Sequence, residues 1–204
     1  MATAFSDYER ELIQKKLNEV AQECLWKYGV RKTTVDQIVQ MTGISKGSFY
    51  NFYSGKEILF FKVLEEYQKT IIDELADKFR KEKKIGIDKF TESIYKLYQN
   101  VRKSFIMNII QNQELEYLMR KLPKELIINH HSLDDKLAKN IFSFIKIKEG
   151  TNIDLVTASL RAIFMSMIYI EEIGEENFNE VLRLLIKGLA LQIIEEDYAN
   201  AWNY

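Results

Sequence analysis

The chain has 204 residues, 47% of them apolar and 29% charged, with a net charge of −1. That length can bury a core without metals or disulfides, and that apolar share excludes a disordered chain. One cysteine excludes an internal disulfide framework, and two histidines leave little for a His/Cys metal site or Cys–His catalysis.

A single proline and eight glycines predict helix nearly throughout. Ser6 and Glu9 form a capping box at the start of a first helix. Its apolar positions Ile13, Leu17, Val20, Ala21, Cys24, Leu25 and Tyr28 share one face, so Cys24 reads as a core residue, and Gly29 reads as the C-cap. Thr34 and Gln37 form a second capping box, opening a short helix that stops at Thr42-Gly43. Ser45 caps another, Lys46 to about Tyr53. A long helix then runs from Lys56 to Arg80, burying Phe61, Leu64, Tyr67, Ile71, Leu75 and Phe79. Further helices are predicted over about 87–103, 104–120 (with a possible break), 124–146, 152–173 and 176–197. Pro123 suits a helix start, and Thr151 with Asp154 resembles a weaker cap.

The two short helices around Thr42-Gly43-Ile44-Ser45 have helix-turn-helix arithmetic over about 33–53. Ile38, Val39, Ile44, Phe49 and Phe52 would pack them together, and Gly43 would supply a positive-φ turn. The second helix would enter a DNA major groove with Lys46, Ser48, Tyr50 and Asn51 outward. Lysines, hydroxyls and phenols suit phosphates, and asparagine suits an adenine edge. Gly47 would let the backbone approach the duplex. The twenty residues Gln37–Lys56 hold no acid and two lysines, as a surface meeting a polyanion requires.

The stretch T-T-V-D-Q-I-V-Q-M-T-G-I-S-K-G-S-F-Y-N-F-Y-S-G-K-E-I-L, Thr33 to Leu59, closely resembles the DNA-binding signature of the tetracycline-repressor (TetR) family. The resemblance is dense over about residues 8–65, with matches at Thr34, Ile38, Gly43, Ser45, Gly47, Tyr50 and Lys56. It implies that Thr34 and Lys56 grip phosphates at helix N-termini. It also implies that Ser48 and Tyr50 reach the DNA backbone and that Lys46 and Gly47 approach the groove; Ser45, Asn51 and Tyr53 complete the candidate set. Val39, Thr42 and the pair Phe52-Tyr53 depart from the family pattern. The expected fold is all-α: an N-terminal three-helix DNA-binding domain over 1–56 and a C-terminal helical ligand-binding and dimerisation domain over 57–204.

In the C-terminal half, Leu155–Ile170 carries only Arg161, and Val181–Ile194 only Arg183 and Lys187. A helix apolar nearly all round is buried on more than one side. A second copy of the chain is therefore expected against the last helix, at Leu182, Leu185, Ile186, Gly188, Leu189 and Ile193. The resemblance also implies a homodimer through the last two helices. Tyr95, Tyr98, Phe105, Met107, Gln111, Phe164, Met165 and Tyr169 are the candidate lining of a small-molecule inducer pocket, apolar with sparse polar groups. His130 and His131 point about 100° apart on a helix and form no metal face.

The longest uncharged stretch is the ten residues Ser104–Gln113, short of the ~20 apolar residues of a membrane span. The N-terminus lacks the basic start and apolar core of a signal peptide. The expected protein is cytoplasmic, needs no cofactor or metal, and does not act on membranes. No nucleophile–base pair, glycine-rich phosphate loop or metal cluster points to an enzyme. The expected function is a ligand-responsive DNA-binding regulator, a repressor that leaves a palindromic double-stranded DNA operator when an inducer binds. The alternative is a helical adapter module that has lost DNA reading.

Overall fold

The computed structural model describes residues 5–195, the side chains of 131–135 excepted. Every regular element among them is helical, with one isolated antiparallel bridge between Ile147 and Ile194. In chain order the helices are α1 (Asp7–Lys27), α2 (Gly29–Lys32), α3 (Val35–Thr42), α4 (Lys46–Tyr50), α5 (Lys56–Arg80), α6 (Ile87–Arg102), α7 (Phe105–Gln111), α8 (Glu114–Arg120), α9 (Lys124–Phe142), α10 (Ile153–Met165), α11 (Ile170–Ile173) and α12 (Phe178–Ile193). The side chain of His131 and residues 196–197 of the expected last helix lie outside the described residues.

Packing divides the chain into two units. The first joins the residues up to Gln68 with Lys103–Ile128; the second joins Lys69–Arg102 with the residues from Asn129 on. The sequence suggested one boundary at 56/57. By packing, the chain passes between units at 68/69, 102/103 and 128/129, so the first unit recruits a segment from the middle of the sequence.

In the first unit, Ser6 and Glu9 cap α1 reciprocally. The Glu9 N–H donates to Ser6 Oγ at 3.3 Å and the Ser6 N–H to the Glu9 carboxylate at 2.8 Å. One face of α1 buries Leu17, Val20, Ala21, Cys24 and Leu25. The Cys24 thiol donates to Met41 Sδ at 3.7 Å, and burial pushes its pKa up, which suits a core residue. Around α1 gather Val30, Ile38, Phe49, Leu59, Phe60 and Val63, together with Phe105, Ile109 and Leu118 from the recruited segment. Truncating any one such side chain to alanine typically costs about 2–5 kcal/mol.

Polar contacts hold the recruited segment in place. Asn108 Nδ2 donates to the carbonyls of Leu25 and Trp26 at 3.1 and 3.0 Å, which the end of α1 leaves without helical partners. The buried Glu114 carboxylate accepts the N–H groups of Val30 and Arg31 at 2.6 and 3.1 Å. Gly29 makes this possible: its φ is +74°, and a Cβ there would stand 2.2 Å from Glu114 Oε2. The Arg31 guanidinium lies over the Tyr117 ring, 4.9 Å from its centroid. The expected break within 104–120 falls at Gln113, a non-glycine residue at φ +55° that separates α7 from α8.

In the second unit, α12 packs against α6 and α10. Leu182, Ile186, Ala190 and Ile193 occupy one stripe of α12 and are buried inside this unit. Leu182, Ile186 and Ile193 were expected to meet a second copy; they are corrected here to core positions, because their stripe is the one covered by the chain's own helices. Leu184, Leu185 and Leu191 are exposed instead, with Gly188 and Leu189 half-buried. At the margin, Lys187 Nζ donates to Asp88 at 2.8 Å and Arg183 Nε to Glu92 at 3.4 Å, both on α6.

The expected helix over 152–173 is interrupted. Asn152, not Thr151, caps α10, accepting the Leu155 N–H at 3.1 Å. After Met165 the chain tightens into a 3₁₀ turn over Ser166–Tyr169, where the Ser166 hydroxyl donates to the Ile163 carbonyl at 2.6 Å. By length and composition the run Ile153–Ile173 is apolar enough to cross a membrane, which the charge count had not suggested. It is also the neighbour of α12 in this unit.

Candidate nucleic-acid interface

Local capping builds the two short helices. The Gln37 N–H donates to Thr34 Oγ1 at 3.2 Å while the Thr34 N–H donates to Gln37 Oε1 at 2.8 Å, fixing the start of α3. The Ser48 N–H donates to Ser45 Oγ at 3.0 Å, fixing the start of α4. Between them Gly43 adopts φ +78°, and its N–H and that of Ile44 both reach the Val39 carbonyl, at 2.8 and 3.1 Å. A Cβ at Gly43 would meet nothing within 4 Å, so only the backbone conformation calls for glycine there. Ile38 and Phe49 are fully buried and anchor the pair. Thr42, an odd residue beside the turn glycine, is buried with its hydroxyl donating to the Ile38 carbonyl at 2.7 Å.

Thr34, Ser45, Lys46, Gly47, Tyr50 and Asn51 are exposed and Ser48 is half-buried. A Cβ added at Gly47 would find only Ser45 Oγ, at 3.8 Å. Among the described residues nothing therefore requires glycine at 47, whereas close approach by an external backbone would. The Lys46 ammonium lies 3.0 Å from the Asp36 carboxylate, a neighbour the sequence reading did not include. The Arg10 guanidinium, also outside that reading, stands 5.1 Å from the centroid of the Phe52 ring.

Two expected DNA contacts turn inward. Tyr53 is buried with Phe49, their ring centroids 6.2 Å apart, and its hydroxyl donates to Asn18 Oδ1 at 3.4 Å. Burial pushes the phenol's pKa up. The spacing held the clue, since position 53 is one helical turn beyond Phe49 on the packed side. The Lys56 ammonium donates to the carbonyls of Val30 and Thr33 at 2.8 and 2.5 Å. It closes the C-terminal end of α2, where a cation is favoured, and its donors are spent inside the head.

The eight candidate pocket residues do not fall in one unit. Phe105, Met107 and Gln111 belong to the first. There Phe105 and Met107 are buried, Phe105 edge-on to Tyr67 at 5.2 Å, and Gln111 is exposed. Tyr95, Tyr98, Phe164, Met165 and Tyr169 belong to the second. The Tyr98 hydroxyl donates to the Leu160 carbonyl at 2.8 Å, its ring packs edge-on to Phe164 at 5.4 Å, and burial raises its pKa far above the usual phenol range. Tyr95 lies under the Arg183 guanidinium at 3.6 Å, and Met165 and Tyr169 are exposed. An open groove of about 630 Å³ in this unit lies elsewhere, along Asp88, Glu92, Glu180, Arg183, Leu184 and Lys187.

Residues 17–63 match the model of the bacterial regulatory proteins, tetR family. A curated relative, the uncharacterized HTH-type transcriptional regulator YhgD of Bacillus subtilis (strain 168), is 25% identical over 139 residues, covering 66% of this chain and 66% of the relative. Among solved structures, a TetR-family transcriptional regulator of Mesorhizobium loti superposes with a TM-score of 0.63 at 11% identity, over 91% of this chain and 98% of that one. The transcriptional regulator FadR of Bacillus subtilis, solved in complex with stearoyl-CoA, superposes with a TM-score of 0.58 at 16% identity, over 87% and 95%. The capped helix-turn-helix, the family match laid over it and the shared all-helical fold agree: residues 17–63 match the tetR family of bacterial regulatory proteins, in a chain whose fold is similar to that of a TetR-family regulator.

Proposed function

We propose that the chain is a homodimeric cytoplasmic repressor, released from a palindromic DNA operator by a small, largely apolar molecule. The first unit reads DNA and the second binds the effector and the partner copy. The observation that carries the reading is the face of Thr34, Ser45, Lys46, Gly47, Tyr50 and Asn51, all exposed, with Ser48 half-buried among them. Residues 24–56, which include this face, contain one acid, Asp36, so phosphates can approach with little repulsion. The function is binding rather than catalysis.

Support for the dimer comes from the second unit. Leu184 and Leu191 on α12 are 71% and 49% exposed, and Leu155 on the adjacent α10 is 66% exposed. Apolar side chains concentrated on two packed helices mark an association surface. Support for an apolar effector comes from the aromatic cluster of Tyr98 and Phe164, and from the bound stearoyl-CoA of the FadR structure. Those rings are packed in this state, so the pocket opens as the effector enters. Helix α5, 25 residues and roughly 37 Å long, starts in the first unit and ends in the second, so it is the chain segment through which an effector would act on the reading helices.

Selection from a random duplex pool tests this reading. The expected winner is a palindrome whose half-sites lie about one helical turn, ~34 Å, or a multiple apart. Its affinity should fall steeply with salt, and effector and operator should weaken each other's binding by one common factor, typically about 5–150-fold. Salt-independent or undetectable duplex binding would favour the adapter reading instead.

A further inference from the structure

A single carboxylate stands at the edge of the reading face. Asp36 sits in the first turn of α3 and is the one acid between Glu23 and Glu57. The Lys46 ammonium, in the first turn of α4, approaches its two oxygens at 3.0 and 3.1 Å. Both side chains are open to water, 74% exposed for Asp36 and 53% for Lys46. The pairing raises the lysine's pKa, first through the hydrogen bond and then through the opposite charge.

Stability does not account for this pair. An acid in the first turn of α3 already complements the helix dipole, whether or not a lysine faces it, and an exposed ion pair adds little to a fold. Its effect on a polyanion is larger. A lysine bound to a carboxylate brings no net charge to the duplex, and the carboxylate itself is repelled by phosphates. Engaging DNA costs Lys46 this pairing whichever acceptor it meets, and in the major groove the O6 and N7 atoms of guanine offer two acceptors in fixed geometry that offset the cost at one sequence.

We propose that Asp36 is a specificity-determining residue, which competes with phosphates for Lys46 and lowers affinity for every duplex, so that a site placing a base edge before Lys46 in the right geometry offsets the loss. This rests on the DNA-binding reading above. Asp36 thereby converts a general phosphate anchor into a conditional base reader. A regulator among a large excess of non-specific DNA needs a high ratio of specific to non-specific affinity, not merely tight binding.

The test uses the full chain as wild type, Asp36→Asn, Asp36→Ser, Lys46→Gln and Asp36→Asn/Lys46→Gln, with circular dichroism confirming the fold of each. Binding is measured to a random-sequence duplex and to the duplex selected from the pool, between 50 and 200 mM salt. Asp36→Asn and Asp36→Ser should tighten random-duplex binding about 3–10-fold and steepen the log–log salt slope by about 0.9, the value of one added phosphate contact. The ratio of specific to random affinity should fall at least about threefold. Without Lys46, removing Asp36 should leave the slope unchanged. An unchanged slope and ratio in Asp36→Asn would overturn the proposal, as would an equal gain in the Lys46→Gln background, which would make Asp36 a plain repulsive charge. A wild type with no salt-dependent duplex binding would overturn the DNA-binding reading and this proposal with it.

Discussion

The two units differ in how they treat their apolar surface. The first closes its core from its own chain, drawing Phe105, Ile109 and Leu118 across some forty intervening residues to cover Phe49, Leu59 and Phe60. Its exposed large residues are mainly amphipathic aromatics such as Tyr8, Trp26, Tyr28 and Tyr50. The second leaves aliphatic side chains uncovered on two adjoining helices, Leu155 on α10 and Leu184, Leu185 and Leu191 on α12. In the dimer proposed above, a second copy covers this open face with the same residues by symmetry.

The largest test of this contrast is to cut the head out at 68. A fragment of residues 1–68 keeps the helix-turn-helix and loses Phe105, Ile109, Leu118, Asn108 and Glu114. Three core side chains at about 2–5 kcal/mol each match the whole stability of a typical domain. The fragment should be largely unfolded by circular dichroism, and cooperative folding near the midpoint of the full chain would refute the claim that the head depends on its recruited segment.

A charge on the open face is the next largest. Leu184→Arg and Leu185→Arg place a cation where the chain's own fold leaves space, so each protomer should remain folded. In a dimer the same cation is buried without a partner and should weaken association by about 3–5 kcal/mol, roughly 150–5,000-fold. Sizing at micromolar concentration should show a dimer for wild type and a monomer for the variants. A wild-type monomer would remove the second copy.

The smallest concerns Lys56. Replacing it with Met strands the carbonyls of Val30 and Thr33 and should cost about 2 kcal/mol, or about 4–8 °C in Tm for a chain of this size. A variant with unchanged Tm and weakened DNA binding would return Lys56 to the phosphates.

What could be read from the sequence was local. Ser6 with Glu9, Thr34 with Gln37, and the turn at Gly43 are interactions over three to five residues, and the structure forms each of them. What could not be read was the choice among distant partners. Phe105 and Met107 look alike whether they line a pocket or plug a head, because helical spacing says that a face is buried and not by what. On α12 apolar residues surround the axis, so the pattern gave no reason to turn Leu182 and Ile186 inward and Leu184 outward. Arg183 and Lys187 marked the seam between the two stripes, and only their partners Glu92 and Asp88 show on which side α6 lies.

The discontinuous head also orders events in time. A ribosome releases the helix-turn-helix and the start of α5 well before Leu118 exists. About 55 residues separate Val63 from Leu118, a delay of roughly 3–11 s at about 5–20 residues per second. During that interval Phe49, Leu59 and Phe60 lack the side chains that will cover them. Until then the nascent head exposes apolar surface of the kind that chaperones shield. No reading head is therefore completed ahead of the segment Lys103–Ile128. A ribosome stalled before that segment would carry the recognition residues on an unfinished scaffold.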